Sequence, residues 1–162
     1  MTFIQAIYLT HDAGLELIHT AKANIIANQG IERDRYALNK GAYSHSKPSK
    51  VRDVTFIARM GIDRANHFLN LGGHKTFTDE ETRRNIILGE ITPEELNDLV
   101  GKTFSVGKIQ FEGIELCIPC ERPSKLANKK HFFEAFECNG GIRARALSSG
   151  QLAINDLMKL PD

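Results

Sequence analysis

A mostly β, barrel-like α+β fold is what this sequence predicts, on three observations. Apolar residues alternate over several short runs, glycine turns separate those runs, and helical patterns are few and short. The chain has 162 residues, 41% of them apolar, which suits one domain with a sizeable core. No repeat or low-complexity linker divides it, so residues 1–162 read as a single domain.

FIQAIYL mixes β-branched and aromatic residues before a turn at Asp12 to Gly14, as a first strand does. Leu15 to Ala27 is a second apolar patch of undecided type. Gly30 to Lys50 turns polar and basic and reads as a long loop, a length that usually carries function; its tyrosines and internal acids can anchor it. VTFIARMGIDRANHFLN predicts a strand running into a helix, with Ile57, Ile62, Ala65, Phe68 and Leu69 on one face and Gly61 weakening it locally. Ile86 to Leu88 is short enough for a buried strand.

ITPEELNDLVGKTF holds the clearest local signal: Thr92 as N-cap, Pro93 at the first helical position, Glu95 completing a capping box, and Gly101 as the stop. A helix of about two turns is expected. TFSVGKIQFEGIELCIP then predicts antiparallel strands broken at Gly107 and Gly113, with Phe104/Val106, Ile109/Phe111 and Ile114/Leu116/Ile118 buried. Phe132, Phe133 and Phe136 stand at helical spacing before a double glycine, and RARAL and SSGQLAINDLM supply a last strand, a turn and the C-terminal end.

Lys plus Arg total 21 against 20 Asp plus Glu, so the net charge of +1 gives no global field toward nucleic acid or anionic lipid. Neither partner is expected. The opening MTFIQAIYLTHDAG has no basic region and no apolar run near the ~18 residues of a membrane span, which predicts a cytoplasmic protein. Three cysteines without a signal segment argue for free thiols or metal ligands over a disulfide framework.

Cys117 and Cys120, in ELCIPCERP, admit several chemistries. A structural zinc site takes two short-range hooks, and only one is present; His131 and Cys138 are two turns apart in a predicted helix. A redox dithiol wants a helix starting at the pair, and ERPSKL does not read as a helix start. Buried small hydrophobe fits Cys117 well. Cys120 lies past Pro119, at a strand end in polar company, which suits a reactive thiolate. Arg83 and Asn85 in TRRN share a side if the strand begins there, and a guanidinium fork suits phosphate or carboxylate; equally, arginines at a strand start can be solvated edge charges. Arg33, Asp34 and Arg35 can pair locally or cradle an anion. No histidine pair stands at i, i+4 spacing, and no phosphate-binding glycine loop or nucleophile elbow is present.

Taken in order, GIERDRYALNKGAYS, RRNIILGEI, LNDLVGKTFSVGKIQFEGIELCIPC and GGIRARALSSGQLAIND resemble the MOSC domain, named for the C-terminal domain of molybdenum-cofactor sulfurases. The resemblance runs from about residue 30 to residue 156 and is closest to small stand-alone bacterial members. It implies a β-barrel-rich fold that binds molybdenum cofactor (molybdopterin), with Cys120 as metal ligand or sulfur carrier. Arg83 and Asn85 match positions that contact the cofactor's pterin and phosphate end, and Asp34 and Arg35 match the family's GDRY loop. Relatives of this kind reduce N-hydroxylated compounds with a redox partner. The alternatives are a Cys120 persulfide carrier fed by a cysteine desulfurase, and a non-catalytic module that binds an anion or a protein. Pyridoxal phosphate is not implied. Two positions depart from the pattern. Arg33 replaces the glycine before Asp34, where a bulky charge is able to alter or fill the pocket, and Asn155 replaces the glycine of a closing glycine-aspartate pair, a mild change because asparagine tolerates the left-handed conformation.

Overall fold

The structure is a computed structural model that describes residues 1–161. Its strands are β1 (Phe3–Leu9), β2 (Ile18–Thr20), β3 (Lys22–Ile26), β4 (Gly30–Ile31), β5 (Val54–Ala58), β6 (Ile86–Gly89), β7 (Thr103–Val106), β8 (Ile109–Leu116), β9 (Ile142–Ala146), β10 (Gly150–Ala153) and β11 (Met158–Lys159). Its helices are α1 (Arg59–Leu71), α2 (Pro93–Asn97), α3 (Arg122–Ala127) and α4 (Phe132–Ala135).

Eight strands form one curled, barrel-like sheet in the order β11, β7, β8, β9, β5, β6, β1, β2, and a three-stranded sheet, β10, β3, β4, accompanies it. The mostly β, α+β expectation holds. β5 and β6 pair in parallel, which requires a crossover, and α1 provides it; the other named pairs are antiparallel.

Two apolar clusters lie on opposite sides of this sheet's strands. The larger, inside the curl, includes Phe56, Phe104 and Phe111, packed edge-on and stacked at centroid distances of 5.1 to 5.9 Å. The smaller joins Ile62, Ala65 and Leu69 of α1 to Phe77, Phe132 and Phe136. β5 feeds both, since Phe56 belongs to the first cluster and Ile57 to the second. Phe68 is half exposed, not on the buried face, and Gly61 is buried because α1 comes close to Asn139 there. Phe133 is also exposed, and α4 spans only four residues.

The capping box at Thr92 forms as expected, with the Thr92 side chain accepting from the Glu95 backbone and Glu95 returning to the Thr92 backbone. The helix is shorter than two turns of regular structure, ending at Asn97.

β8 corrects the expected break at Gly113. The strand runs through that glycine, whose amide donates to Lys102 O at 2.9 Å and whose carbonyl accepts from Gly101 N at 2.8 Å. A Cβ there would stand 2.1 Å from Leu99 O, so glycine is required by close backbone approach, not by a turn. Burial therefore continues on odd positions: Phe111, Gly113, Cys117 and Pro119 are buried, and Leu116 and Ile118 are exposed. The expected burial of Leu116 and Ile118 is reversed.

Among the described residues no helix is long and apolar enough to cross a membrane.

Candidate functional site

The ends of β5 and β6, the loop after β4, and the segment from Cys117 into α3 meet around one cleft. Its space, counted out to the open mouth, is ≈ 690 Å³. Arg35, Arg52, Arg83, Arg84, Arg122 and Arg143 line it together with Tyr36, Tyr43, Cys117 and Cys120, and among the described residues no aspartate or glutamate does. Guanidiniums stay charged at any physiological pH, so this local field exists despite the chain's near-zero net charge.

Cys120 is exposed and Cys117 is 3% exposed; both are free thiols. Cys117 donates its backbone N–H to Gly141 O at 2.8 Å, which holds it against β9. Cys120 follows Pro119 into open space, and its sulfur lies 3.9 Å from the Tyr43 hydroxyl. Burial, then the hydrogen bond to Cys120, raise the Tyr43 pKa, so the phenol keeps its proton at neutral pH and can donate to a thiolate. The expectation that ERPSKL does not start a helix is corrected: α3 begins at Arg122 with Pro123 in its first turn, where a missing N–H costs nothing.

Arg83 is held by the loop before β6. It caps the short 3-10 turn Glu80–Thr82 in the left-handed conformation, φ 65°, and one Nη donates to Leu15 O. Burial, then the like charges of Arg35 and Arg122, lower its pKa to about 10, a direction that bound anion would reverse. Arg84 donates from Nε to Gly140 O at 2.7 Å and from Nη1 to Thr82 O at 3.3 Å.

Asn85 does not accompany Arg83 into the cleft. Regular strand begins only at Ile86, and the left-handed Arg83 interrupts the alternation that would have aligned the two. Its amide is buried: Oδ1 accepts from Thr55 N and Thr55 Oγ1, both at 3.1 Å, and Nδ2 donates to Tyr8 O at 3.1 Å and to Asp34 Oδ1 at 3.5 Å. Asp34 is 0% exposed and also lies behind the lining. It accepts from Thr10 N and Tyr36 N, each at 3.3 Å, and from Arg35 Nη1 at 3.1 Å. Arg35, thus braced, reaches the cleft and donates from Nη2 to Arg83 O at 3.3 Å. So Arg35, Arg83 and Cys120 converge on the cleft, and Asp34 and Asn85 support them from behind.

Arg33 does not fill the cleft. It is exposed, at φ 70°, in a separate groove with Leu9, His11 and Lys22. The backbone keeps the left-handed geometry that a glycine takes freely, and Asn155 does likewise at φ 75°.

Sequence reasoning missed Arg52, Arg122, Arg143 and Tyr43. Arg52 lies with its guanidinium 4.9 Å from the Tyr43 ring centroid and 5.9 Å from that of Tyr36, and its Nε is buried without a hydrogen-bond partner. Arg143 pairs with Glu115, whose carboxyl burial pushes up but Arg143 and Lys50 pull below the usual range. The paired tyrosines of the loop were a visible signal; nothing local separates Arg143 from its neighbour Arg145, which pairs with Glu112 outside the cleft.

No family model matches the chain, and no curated protein matches its sequence. Solved structures do match its fold. The YuaD protein from Bacillus subtilis superposes with a TM-score of 0.72 at 15% identity, over 96% of this chain and 93% of that one. YiiM from Geobacillus stearothermophilus gives 0.71 at 11% identity, over 100% of this chain and 76% of that one. YiiM from Escherichia coli gives 0.62 at 13%, over 99% and 72%. The shared architecture is a MOSC-like fold.

Proposed function

We propose that this chain binds molybdenum cofactor in the Cys120 cleft and serves the two-electron reduction of N-hydroxylated compounds. One observation carries the reading: an exposed thiol opens on a cleft whose charged lining is all guanidinium. The residues present fit such a group. Arg52 Nε has no acceptor, and the Arg83 charge is disfavoured by its surroundings, so the cleft calls for bound anions, of which the cofactor's phosphate supplies one at Arg83. A thiolate is the soft donor that a soft metal takes.

Cys120 would ligate the metal, and Arg83, Arg84 and Arg35 would hold the phosphate-bearing pterin. Asp34 and Asn85 act through others, Asp34 by orienting Arg35 and Asn85 by tying β5 to the start of β6. Tyr43 holds a proton beside Sγ. The bound group supplies a two-electron couple by which an N-hydroxyl compound, with two electrons and two protons, becomes the amine and water, the electrons coming from a redox partner. The likeness to YuaD and YiiM supports the reading at the level of architecture.

The exposure of Cys120 favours a second reading, a persulfide carrier. Its thiolate would attack the terminal sulfur of a cysteine desulfurase persulfide, forming a new S–S bond and releasing the desulfurase thiolate.

The test is metal and pterin analysis of protein purified from a cofactor-producing host. Molybdenum with pterin fluorescence is expected in the native chain and in Cys117→Ala, and neither in Cys120→Ala. Cys117→Ala should lower stability by about 1 kcal/mol, from its lost buried sulfur. Equal metal in all three proteins removes Cys120 from the role. A mass gain of one sulfur at Cys120 after incubation with a desulfurase, without metal in the native protein, selects the carrier.

A further inference from the structure

Most of the cleft's guanidiniums have partners. Arg35 is on Asp34, Arg84 on Gly140, Arg143 on Glu115, and Arg83 on the Leu15 carbonyl. Among the described residues, the guanidiniums of Arg52 and Arg122 have no hydrogen-bond or ion-pair partner. Both are only partly exposed, so neither is a freely solvated surface charge.

Both line the cleft that holds Cys120. Arg52 lies over the Tyr43 ring at 4.9 Å, and the Tyr43 hydroxyl is 3.9 Å from Cys120 Sγ. Arg122 follows Cys120 by two residues and lines the same cleft as Tyr43 and Arg83. A guanidinium stacked on a ring uses its face, and its N–H donors lie in the plane, at the edge. A buried N–H without an acceptor is costly, and a carboxylate or phosphate oxygen relieves it. Among the described residues no acidic side chain lines the cleft to do so.

We propose that Arg52 and Arg122 form an anion subsite beside Cys120 that takes an anionic group of the substrate, a carboxylate or phosphate. The inference rests on the reading above only in placing the chemistry at Cys120. It adds that the substrate is charged, and that neutral and cationic analogues are discriminated against at the sulfur.

The experiment uses charge-matched thiol reagents on the full chain purified from a host that makes no molybdenum cofactor. Iodoacetate and iodoacetamide both lose iodide to the Cys120 thiolate, so the ratio of their rates cancels the thiolate fraction and reports the local field. The ratio is expected to exceed that of a neutral model thiol by about tenfold, the scale of unit charges meeting at about 3 Å under the full screening of water. Inorganic phosphate should protect Cys120 from iodoacetate. The double substitution Arg52→Gln/Arg122→Gln should return the ratio to the model-thiol value, and Arg145→Gln, outside the cleft, should leave it unchanged. A native ratio no higher than that of the model thiol overturns the proposal, as does a high ratio that survives the double substitution.

A second arm separates substrate from cofactor as the source of the anion. Molybdenum-loaded protein titrated with inorganic phosphate should bind it, and the double substitution should abolish that binding. Loss of phosphate binding on loading means that the cofactor's own phosphate fills the subsite, and it overturns the assignment to substrate. The first arm is independent of the metal test of Cys120: the alkylation ratio is read without metal, so it can stand or fall whichever way metal retention goes.

Discussion

Replacing Asp34 with alanine separates a brace from a ligand. The carboxylate is 0% exposed and accepts from two backbone N–H groups and from the Arg35 guanidinium, whose side chain is itself 7% exposed. Breaking a buried ion pair by removing one partner costs about 3–5 kcal/mol, and each stranded buried donor costs about 1–3 kcal/mol, costs that overlap at one site. Arg35 keeps its bond to the Arg83 carbonyl, which limits the damage. A net loss of about 4 kcal/mol is expected for Asp34→Ala, or roughly 8–16 °C in Tm for a chain of this size. Asp34→Asn, which keeps one acceptor oxygen but no charge, should lose about half as much. Urea titration with an unchanged m value, backed by a thermal scan, measures both. Loss below about 1 kcal/mol in the alanine variant, with metal or phosphate binding abolished, would refute the brace and make Asp34 a direct ligand.

Arg83→Ala should weaken inorganic phosphate binding more than Arg84→Ala, by about tenfold against about threefold, because Arg83 is the guanidinium crowded by Arg35 and Arg122 while Arg84 is tied to two carbonyls; calorimetric titration that reverses the order contradicts this. Asp53 is buried, and burial raises its carboxyl pKa despite the bond from Ala146 N. Its folded pKa lies above the unfolded one, so the wild type loses stability as pH rises through that window. Asp53→Asn should therefore match the wild type near pH 3 and equal or exceed it by up to about 1 kcal/mol at pH 7, in urea midpoints read at both. Arg33→Gly should stabilise the chain by about 1 kcal/mol, since a left-handed residue with a Cβ is strained there, and leave phosphate affinity unchanged.

The local signals read correctly where the physics is local. Thr92, Pro93 and Glu95 specify their helix start within four residues, and Val54 to Ala58 alternates into a strand whatever surrounds it. Errors arose where distant backbone decides. Gly113 looks like a turn, yet its role is set by Leu99 and Val100 lying against it, and no neighbour in sequence reveals that. Arg83 and Asn85 align only if the strand begins early, and a left-handed residue prevents it. The GDRY-like loop was legible as a unit, but which of its charges faces outward was not: Asp34 turns in to Thr10 and Asn85, partners 24 and 51 residues away. Arg52, Arg122 and Arg143 lie on three separate segments and gather only in three dimensions.

The parity of the segment from Ile109 to Cys120 decides which sulfur meets the outside world. Ile109, Phe111, Gly113, Cys117 and Pro119 are buried while Gln110, Leu116, Ile118 and Cys120 are exposed, so two chemically identical thiols three residues apart receive opposite fates. Adding or deleting one residue between Ile114 and Cys117 would shift both to the other parity, presenting Cys117 to solvent and turning Cys120 inward. The reactivity assigned to this chain is thus a counting property of its backbone as much as a property of any side chain.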